Sequence, residues 1–520
     1  MPMQMLAAID VGSSEVAMKI YQFSKRTGIE EIEYVRSIVE LGADTYNTGV
    51  IAYDTVRELC GVLGGFVQKL KEYRISNYVA YAGSAMREAV NRDLVLDQIR
   101  IQTGLEVQII GNAQQRFLVL QSLAGTMVQF ERLTQEGVAI VDLSSGSLQV
   151  SIYEEGALQV SQNLKLGSLR VREILADMEQ QTTSFVSVME DYIGNTLRTF
   201  QRLAIKDKKI KHVIVLGEEI ATLLNEEIAT LLNEVNASKN RESFNVSQFE
   251  KFYMKLMRSK DEDISKKYNI PYETATVLKP SMIIFKNLVE MLGGEVVWAS
   301  NVGLCDGILA DYIRAKHLVK NKHDFTEDII SMSRQVARHY ESDMDHTNNV
   351  EALSLAIFDS IKKISGLSPR DRLILQAASI LHDCGKYVNM MHGTDNAYYL
   401  VLNTEIIGFS EDEKHIIANV IRFNSNGEVP EYTEVASEMS HMSYVRMLKM
   451  AAILRLANGM DRSHLQRIQN VRVTVKDAEL KIMANTIYDI TLEQGMMETR
   501  ANFFEQIYGL RPVLRQKRRV

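Results

Sequence analysis

The 520-residue chain is poor in cysteine, proline and tryptophan, and these scarcities exclude several classes of protein. It contains three cysteines, six prolines and one tryptophan. The cysteines, Cys60, Cys305 and Cys384, lie far apart in the sequence and indicate reduced thiols, so we expect a cytoplasmic protein. No apolar run is long enough to cross a bilayer, and the N-terminus lacks the basic segment of a signal peptide, so no membrane association is expected.

Acidic residues outnumber basic residues, with 66 Asp and Glu against 59 Lys and Arg. The formal net charge is −7, so the whole molecule is not an electrostatic match for nucleic acid or anionic lipid, and nucleic acid is not an expected partner. Fractions of 46% apolar and 24% charged residues are instead typical of a globular protein. Because 520 residues exceed what one hydrophobic core supports, we expect about three or four domains.

Two segments in the first half of the chain repeat each other. Ile9–Ser14, which reads IDVGSS, aligns with Val141–Gly146, which reads VDLSSG. Both segments continue without a gap to an Ile-Tyr pair, at Ile20-Tyr21 and at Ile152-Tyr153. Strand patterns alternate with helix patterns around both segments. This self-similarity predicts two homologous α/β lobes.

The second half of the chain has a different pattern. From about residue 320 the apolar residues follow helical spacing, and after Asn470 alternating residues predict short strands. We therefore predict lobes at 1–134 and 135–317, an all-helical domain at 318–468 and a small α+β module at 469–520. The sequence EIATLLNE occurs twice in succession, at 219–226 and 227–234, and we interpret it as a lengthened helix or loop without an assigned function.

The repeated strand-and-turn segments have a composition that suits phosphate. An aspartate at a strand end can hold a divalent cation through water, and a turn of Gly and Ser presents N–H and hydroxyl groups to anionic oxygens. One such turn is weak evidence, but two on matching strands are stronger. The candidate residues are Asp10, Gly12, Ser13, Asp142, Ser144, Ser145, Gly146 and Ser147.

The order and spacing of several motifs resemble the exopolyphosphatase and guanosine pentaphosphate phosphohydrolase family. The family motifs Asp-x-Gly-Ser-Asn-Ser, Gly-Thr-x-Ala-x-Arg-x-Ala, Ile-Ser-Gly-x-Glu-Glu-Ala-Arg and Asp-Ile-Gly-Gly-Gly-Ser-Thr-Glu correspond to Asp10–Glu15, Gly83–Ala89, Ile110–Arg116 and Asp142–Gln149. Residues 164–168 and 303–309 resemble two further signatures of the same family. The resemblance covers essentially the whole chain. It implies two actin-like (ribonuclease H-like) lobes, a helical HD-like domain, phosphate binding by Arg87, and Mg²⁺ held by Asp10 and Asp142.

The chain departs from this family where the chemistry is expected. The resemblance places the catalytic general base at Gln114 and a second functional carboxylate at Gln149, and both positions are amides here. An amide cannot accept a proton near neutral pH, and general-base assistance is typically worth about 10²–10⁴-fold. Ser144 and Ser145 also replace family glycines. A neighbouring carboxylate, Glu15 or Glu88, is the alternative source of a base.

The resemblance also implies a metal site in the helical domain, with its ligands in the order of the HD superfamily. The corresponding residues are His346, His382, Asp383 and Asp461. Two imidazoles and two carboxylates suit Mn²⁺ or another first-row transition metal better than Ca²⁺. Asn396 and Asn424 stand where relatives carry further histidines, so one ion is expected rather than two, although His392 lies near the gap. A buried structural histidine is the competing interpretation.

The resemblance implies that polyphosphate, or guanosine pentaphosphate or tetraphosphate, binds between the lobes, and that polyphosphate or the pentaphosphate loses its terminal phosphate to water. The amides at Gln114 and Gln149 favour a weakened cleft, or a regulator that binds these ligands without turnover. A third alternative is a nucleotide phosphohydrolase activity of the HD-like domain. A homodimer is an expectation that rests on the resemblance alone.

Overall fold

The computed structural model of the chain describes residues 4–24, 28–179, 181–182, 184–206, 208–217, 243–316, 318, 323–425 and 431–517. It contains two compact units, unit 1 at Met1–Phe325 and unit 2 at Thr326–Val520. The duplicated EIATLLNE sequence lies outside the described residues. Of the helices within the described ranges, none combines the length and the hydropathy needed to cross a membrane.

The first sheet of unit 1 has five strands, which are β1 (Gln4–Val11), β2 (Glu15–Ser24), β3 (Gly28–Ile38), β4 (Tyr78–Ala82) and β5 (Gln108–Ile109). Their order is β3-β2-β1-β4-β5. The first three strands are antiparallel neighbours, and β4 and β5 extend the sheet in parallel. Both faces of β1 are apolar, because Leu6 and Ala8 point into one core and Ala7 and Ile9 into another.

The second sheet has six strands, which are β6 (Val138–Leu143), β7 (Leu148–Glu154), β8 (Ala157–Leu164), β9 (His212–Leu216), β10 (Ser243–Asn245) and β11 (Val296–Ser300). Their order is β10-β11-β9-β6-β7-β8. As in the first sheet, the opening three strands are antiparallel and two further strands, β9 and β11, join in parallel. The short strand β10 is added antiparallel at the edge.

The two sheets share one topology and one irregularity. The order β3-β2-β1-β4-β5 corresponds strand by strand to β8-β7-β6-β9-β11. The register of β2 with β3 shifts between Ile20 and Tyr21, and that of β7 with β8 shifts between Ile152 and Tyr153. These are the two Ile-Tyr pairs that the sequence repeat aligns. The predicted pair of α/β lobes is confirmed.

Helices cover these sheets. In unit 1 they are α1 (Leu41–Thr48), α2 (Tyr53–Glu72), α3 (Ser84–Glu88), α4 (Arg92–Thr103), α5 (Asn112–Thr126), α6 (Phe130–Glu136), α7 (Ser168–Glu179), α8 (Phe185–Phe200), α9 (Val246–Arg258), α10 (Asp261–Tyr268), α11 (Tyr272–Leu292) and α12 (Leu304–Ala315). A short π-helix at Gln201–Ile205 follows α8. Helix α2 shows the pattern that drives this packing, because Val56, Leu59 and Leu63 recur at helical spacing and are buried.

Two helices, α5 and α12, cross in backbone contact. A Cβ on Gly307 would lie 2.6 Å from the carbonyl carbon of Leu118, so only glycine allows this approach. A third core forms around the crossing, where Leu118 and Ile308 pack with Leu6 of β1. The helices that follow β5 and β11 therefore tie the first sheet to the second lobe.

Unit 2 is helical apart from one small sheet. Its helices are α13 (Phe325–His339), which begins at the last residue of unit 1, α14 (Met344–Ser365), α15 (Pro369–Leu381), α16 (Gly393–Leu402), α17 (Glu411–Arg422), α18 (Tyr432–Val435), α19 (His441–Gly459) and α20 (Thr491–Tyr508). The strands β12 (Arg472–Lys476) and β13 (Glu479–Asn485) form a hairpin, and β14 (Arg511–Lys517) pairs in parallel with β13. The predicted fold class is confirmed, and the four predicted domain ranges stay a prediction.

Candidate functional site

The turn between β1 and β2 is the first predicted phosphate-binding loop. The Gly12 N–H donates to the Glu15 carbonyl at 2.9 Å, and a Cβ on Gly12 would lie only 2.8 Å from that oxygen. The buried Ser13 hydroxyl lies 2.8 Å from the Tyr46 hydroxyl and 3.0 Å from the Ser84 hydroxyl. The turn is therefore tight because of glycine, and its serine belongs to a network of three hydroxyl groups.

The turn between β6 and β7 is the second predicted loop. The Ser144 N–H donates to the Ser147 carbonyl at 2.9 Å, and the Ser147 N–H donates to the Ser144 hydroxyl at 3.2 Å. A side chain at Gly146 would overlap the hydroxyl groups of Tyr46 and Ser84, which belong to the first lobe. Glycine at this position lets the second loop lie directly against the first lobe.

The two loops meet at one cavity. The Ser14 and Ser145 hydroxyl oxygens are 2.5 Å apart across the two lobes. Beside this contact lies a cavity of about 170 Å³. The predicted site residues that line it are Asp10, Gly12, Ser13, Asp142, Ser144 and Ser145. Gly146 and Ser147 shape the second turn, and we call this cavity the cleft.

Arg170 fastens the second loop to the first lobe. It is buried, its Nε donates to the Gly146 carbonyl at 2.7 Å, and its Nη2 donates to Glu88 at 2.7 Å. Its guanidinium also lies 3.9 Å from the ring centroid of Tyr46, a cation–π geometry. One arginine thus holds a loop carbonyl, a carboxylate and an aromatic ring that come from both lobes.

Asp10 and Asp142 lie at the ends of the matching strands β1 and β6, and both line the cleft. Asp142 keeps some exposed surface, yet its surroundings desolvate the carboxyl and raise its pKa to about 6, although Arg116 acts in the lowering direction. A desolvated carboxylate of this kind favours a nearby cation. Two carboxylates facing a phosphate-sized cavity fit Mg²⁺, which keeps several waters and needs few protein ligands.

Gln149 lies behind Asp142 and not in the wall of the cleft. The two residues are register partners on β6 and β7, and Gln149 is 2% exposed. Its Oε1 accepts a hydrogen bond from the Nε of Arg116 at 3.3 Å, and Arg116 also donates to the Ser161 hydroxyl. The amide at this position therefore supports a buried arginine that lies near Asp142.

Gln114 and Gln115 occupy the first turns of α5, and both are half-buried. Of these two neighbours, Gln115 is the residue that lines the cleft. Arg87, at the end of α3, donates to the Ile110 carbonyl at 2.6 Å and to Asn112, so its guanidinium lies at the start of α5. The structure thus brings Arg87 and Gln114 to the same helix terminus beside the cleft wall.

Several residues of this site were not identified from the sequence. Ser84 and Arg170 lie within or two residues after motifs that resemble the family, so position alone could have indicated them. Tyr46 lies in α1 with no motif around it. Two carboxylates, Glu40 and Glu273, line the cleft from distant parts of the chain. Such contributions depend on the packing of the lobes and leave no local pattern.

In unit 2, the predicted metal ligands gather around His346. The His346 Nδ1 lies 2.8 Å from an oxygen of Asp461, and the His346 Nε2 lies 3.3 Å from the Nε2 of His382. Burial lowers the pKa of His382 to about 4, so its imidazole is neutral at pH 7. Asp383 pairs with Lys386 at 2.5 Å. The four predicted residues are therefore close neighbours, with His346 in α14 and the other three just after the ends of α15 and α19.

Their arrangement differs from a shared set of four ligands. Asp461 contacts the Nδ1 side of the His346 ring, whereas His382 faces its Nε2 side. Across the described ranges, we find no group of three or more His, Cys, Asp or Glu side chains placed to hold a metal ion. In this geometry Asp461 orients an imidazole, as carboxylates commonly do behind a metal-binding histidine.

Comparison with protein families finds two matches. Residues 20–316 match the model of the Ppx/GppA phosphatase family, and residues 331–502 match the model of Ppx/GppA phosphatase, domain III. The first match alone spans more than half of the chain, and the second lies entirely within unit 2.

Individual relatives are distant in sequence. The chain is 21% identical over 454 residues to a guanosine-5'-triphosphate,3'-diphosphate pyrophosphatase of Photobacterium profundum and 19% identical over 469 residues to that of Aliivibrio fischeri, with 86% of each chain covered. A crystal structure of an exopolyphosphatase from Cytophaga hutchinsonii superposes with a TM-score of 0.51 at 17% identity. That superposition covers 61% of this chain and 99% of the other, and it shows a shared fold.

Proposed function

Because the chain belongs to the Ppx/GppA phosphatase family, we propose that its cleft binds the phosphate chain of polyphosphate or of guanosine pentaphosphate or tetraphosphate. It slowly releases the terminal phosphate of polyphosphate or of the pentaphosphate. The observation that carries this proposal is the contact between Ser14 and Ser145, since it brings both loops to one cavity. The class of ligand is inferred from relatives, among them the guanosine-5'-triphosphate,3'-diphosphate pyrophosphatase of Photobacterium profundum.

The residues of the cleft suit a phosphate chain and a cation. Backbone N–H groups and hydroxyls of small residues approach anionic oxygens closely. Asp10 and Asp142 would hold Mg²⁺ in the cleft, and the ion would neutralise charge on the phosphate oxygens. Arg170 would act as a positioning residue, because it fixes the second loop through the Gly146 carbonyl.

Slow hydrolysis is proposed because the expected bases are amides. Gln149 is buried against Arg116, and Gln114 lies beside the cleft wall at the start of α5. Of the two alternative carboxylates from the sequence, Glu88 pairs with Arg170, whereas Glu15 lines the cleft and lies 3.7 Å from Arg36. Glu15 is therefore the better candidate for residual general-base assistance.

Steady-state phosphate release by the full-length protein tests this proposal. Polyphosphate and guanosine pentaphosphate are assayed with Mg²⁺, in parallel with equilibrium binding of the same ligands. We expect saturable binding with slow release, and Glu15→Gln should reduce the release further. Binding with no detectable release would instead support the regulator that senses the ligand. No binding of either ligand would contradict the proposal for the cleft.

A second candidate function belongs to unit 2. The Nε2 atoms of His346 and His382 face each other and are 3.3 Å apart. This distance suits two nitrogen ligands of one first-row ion such as Mn²⁺. We propose about one such metal ion per chain, with Asp461 behind His346. Elemental analysis after reconstitution with Mn²⁺ tests this. The ion should be lost on His382→Ala, and an unchanged metal content in that variant would contradict the site.

A further inference from the structure

Unit 1 contains a second cavity, larger than the cleft, with a volume of about 830 Å³. It lies beside the crossing helices α5 and α12 and next to strands β2 and β3. Val302, in the turn between β11 and α12, lines both this cavity and the cleft. A volume between about 300 and 1,000 Å³ is typical of sites for small organic molecules.

The walls of the second cavity are largely apolar. Leu309, Ala310 and Ile313 of α12 form one side. Ile29 and Val128 also line the cavity and are 48% and 83% exposed, so these large apolar side chains face solvent. A ligand with an apolar body would cover them and gain the corresponding hydrophobic free energy.

The charged residues that line the cavity, within the described part of the chain, are two carboxylates and one lysine. The Lys19 ammonium lies 3.2 Å from both carboxylate oxygens of Asp306 and 3.4 Å from Glu31. Tyr21 donates to Asp306 at 2.7 Å, and burial raises the pKa of this phenol, which therefore stays protonated. Two carboxylates thus face one lysine, and the Glu31 side chain is 43% exposed at the rim.

From the volume, the apolar walls and this charge balance, we propose that the second cavity binds a small organic cation with an apolar body. Its positive charge would lie at Glu31, and its body would lie between Ile29, Val128 and α12. Among the lining residues that the structure describes, Lys19 is the one cation and already pairs with both carboxylates, so an anionic ligand would add a third negative charge beside them. This site is separate from the phosphate cleft and does not rest on the function proposed for it.

The position of the cavity gives such a ligand access to the cleft turn. Asp306 accepts a hydrogen bond from the Gly303 N–H at 2.9 Å, and Gly303 lines the cleft. The same carboxylate holds Lys19 and Tyr21 in the wall of the second cavity. A molecule bound there would therefore touch the turn of residues 302–306 that the two cavities share.

Dye titration of the full-length protein tests the proposal. The probe is thioflavin T, a flat aromatic cation whose fluorescence rises when it is immobilised, and the matched anion is 1-anilinonaphthalene-8-sulfonate. We expect saturable binding of the cation, with an affinity about ten-fold higher than that of the anion. Equal affinities for the two dyes would overturn the proposed charge selectivity and with it the site.

Two variants locate the bound dye. Gly125 lines the cavity and an added Cβ there meets open space, so Gly125→Phe should fill the cavity and weaken cation binding by about ten-fold or more. Gly65 in α2 also has open space around an added Cβ, so Gly65→Phe is the matched control and should bind normally. If both variants lose the same affinity for the cationic dye, or if Gly125→Phe loses none, the dye binds elsewhere.

Glu31→Gln tests the charge without changing the shape. Because the Lys19–Glu31 ion pair is partly exposed, removal of the carboxylate should lower the affinity for the cationic dye by about five-fold. The affinity for the anionic dye should not fall. Glu31 lies on an edge strand, so this variant remains informative even if Gly125→Phe folds poorly. Unchanged cation affinity in Glu31→Gln would contradict the proposal.

Discussion

The two lobes of unit 1 share one strand order, but the residues opposite their aspartates differ. Asp10 on β1 pairs in register with Ala17, whereas Asp142 on β6 pairs with Gln149. Ala17 offers no polar group, while Gln149 accepts a hydrogen bond from the buried Arg116. The first lobe therefore presents its aspartate against an apolar neighbour, and the second presents its aspartate in front of a polar cluster.

The loops that follow these aspartates are also held differently. The first loop is fixed by hydroxyl contacts of Ser13 with Tyr46 and Ser84, all within the first lobe. The second is closed by hydrogen bonds between Ser144 and Ser147 within the turn. It is also held by Arg170, which donates to the Gly146 carbonyl and to Glu88 of the first lobe. A duplicated topology thus carries two unlike halves of one cleft. Changes at matching positions should have unequal effects, and these inequalities can be measured.

The largest effect is expected from restoring carboxylates at the two amide positions, Gln114 in the first lobe and Gln149 in the second. Gln114→Glu adds a proton acceptor with almost no change in volume, and we expect phosphate release to rise by about 10²-fold, the low end of general-base catalysis. Gln114→Glu with Gln149→Glu should exceed the single change, because a second carboxylate would pair with Arg116, and groups that act as a unit are not additive. Release from a defined polyphosphate with Mg²⁺ measures both.

Gln115→Glu is the control for this prediction, since Gln115 is the residue of the pair that lines the cleft. A larger gain in Gln115→Glu than in Gln114→Glu would place the functional position one residue along α5. Fast release by the wild type that Gln114→Glu leaves unchanged or lowers would contradict the interpretation of a weakened cleft. Ser144→Gly then tests whether the serine crowds the phosphate.

Glycine-to-alanine changes in both loops should lower the free energy of unfolding, but Tyr46→Phe should restore part of it in one loop only. Gly146→Ala should lower the free energy of unfolding by about 2 kcal/mol, because its Cβ would overlap the Tyr46 and Ser84 hydroxyls. Tyr46→Phe removes one of these oxygens and should recover part of the loss. Gly12→Ala meets the Glu15 carbonyl of the backbone, so Tyr46→Phe should not help it. Denaturant unfolding of the wild type, the three single variants and the two double variants that combine Tyr46→Phe with each glycine change measures these effects.

Equal behaviour of the two glycine variants toward Tyr46→Phe would contradict this difference. It would show that the second loop does not lie against the first lobe in solution as it does in the structure. The readout is independent of any ligand, so it tests the geometry of the cleft alone.

Loss of the arginine beside the cleft should weaken polyphosphate binding by about ten-fold or more. Arg87→Ala removes a charged donor at the start of α5, and one charged hydrogen bond contributes about 1.5–3 kcal/mol. Binding should also weaken with salt. Arg57→Ala, on the exposed surface of α2, is the control for general charge. Superimposable titration curves for Arg87→Ala and the wild type would place the anion elsewhere.

The sequence predicted the lobes and the loops well, and the contacts between them poorly. The IDVGSS and VDLSSG segments carry their own strand and turn signals, so their repetition was visible without a structure. Tyr46 contacts the first loop, and Glu273 lines the cleft, only through the packing of α1 and α11, which leaves no local pattern. In unit 2, the order of His346, His382 and Asp461 was readable. The sequence did not indicate that Asp461 contacts the Nδ1 side of the His346 ring and His382 its Nε2 side.

The smallest expected effect concerns the protonation of the second aspartate. Burial raises the pKa of Asp142 to about 6, above its ordinary value of 3.8, so the folded state favours the protonated carboxyl. The stability from this preference is fully present below about pH 4 and is lost as the pH rises through 6. Asp142→Asn cannot ionise, so in metal-free buffer at pH 8 it should be more stable than the wild type, by about 1 kcal/mol after allowance for partial exposure.

The difference should shrink as the pH falls toward 4, where the wild-type carboxyl is neutral as well. Denaturant unfolding of Asp142→Asn at pH 8, 6 and 4 with a chelator present measures the trend, and Asp10→Asn supplies the same change on the matching strand. A variant that is less stable than the wild type at pH 8 would mean that Arg116 stabilises the ionised carboxylate by more than burial destabilises it. In that case the charge of the second lobe would already be balanced without a metal ion, and the argument for Mg²⁺ at Asp142 would lose its electrostatic basis.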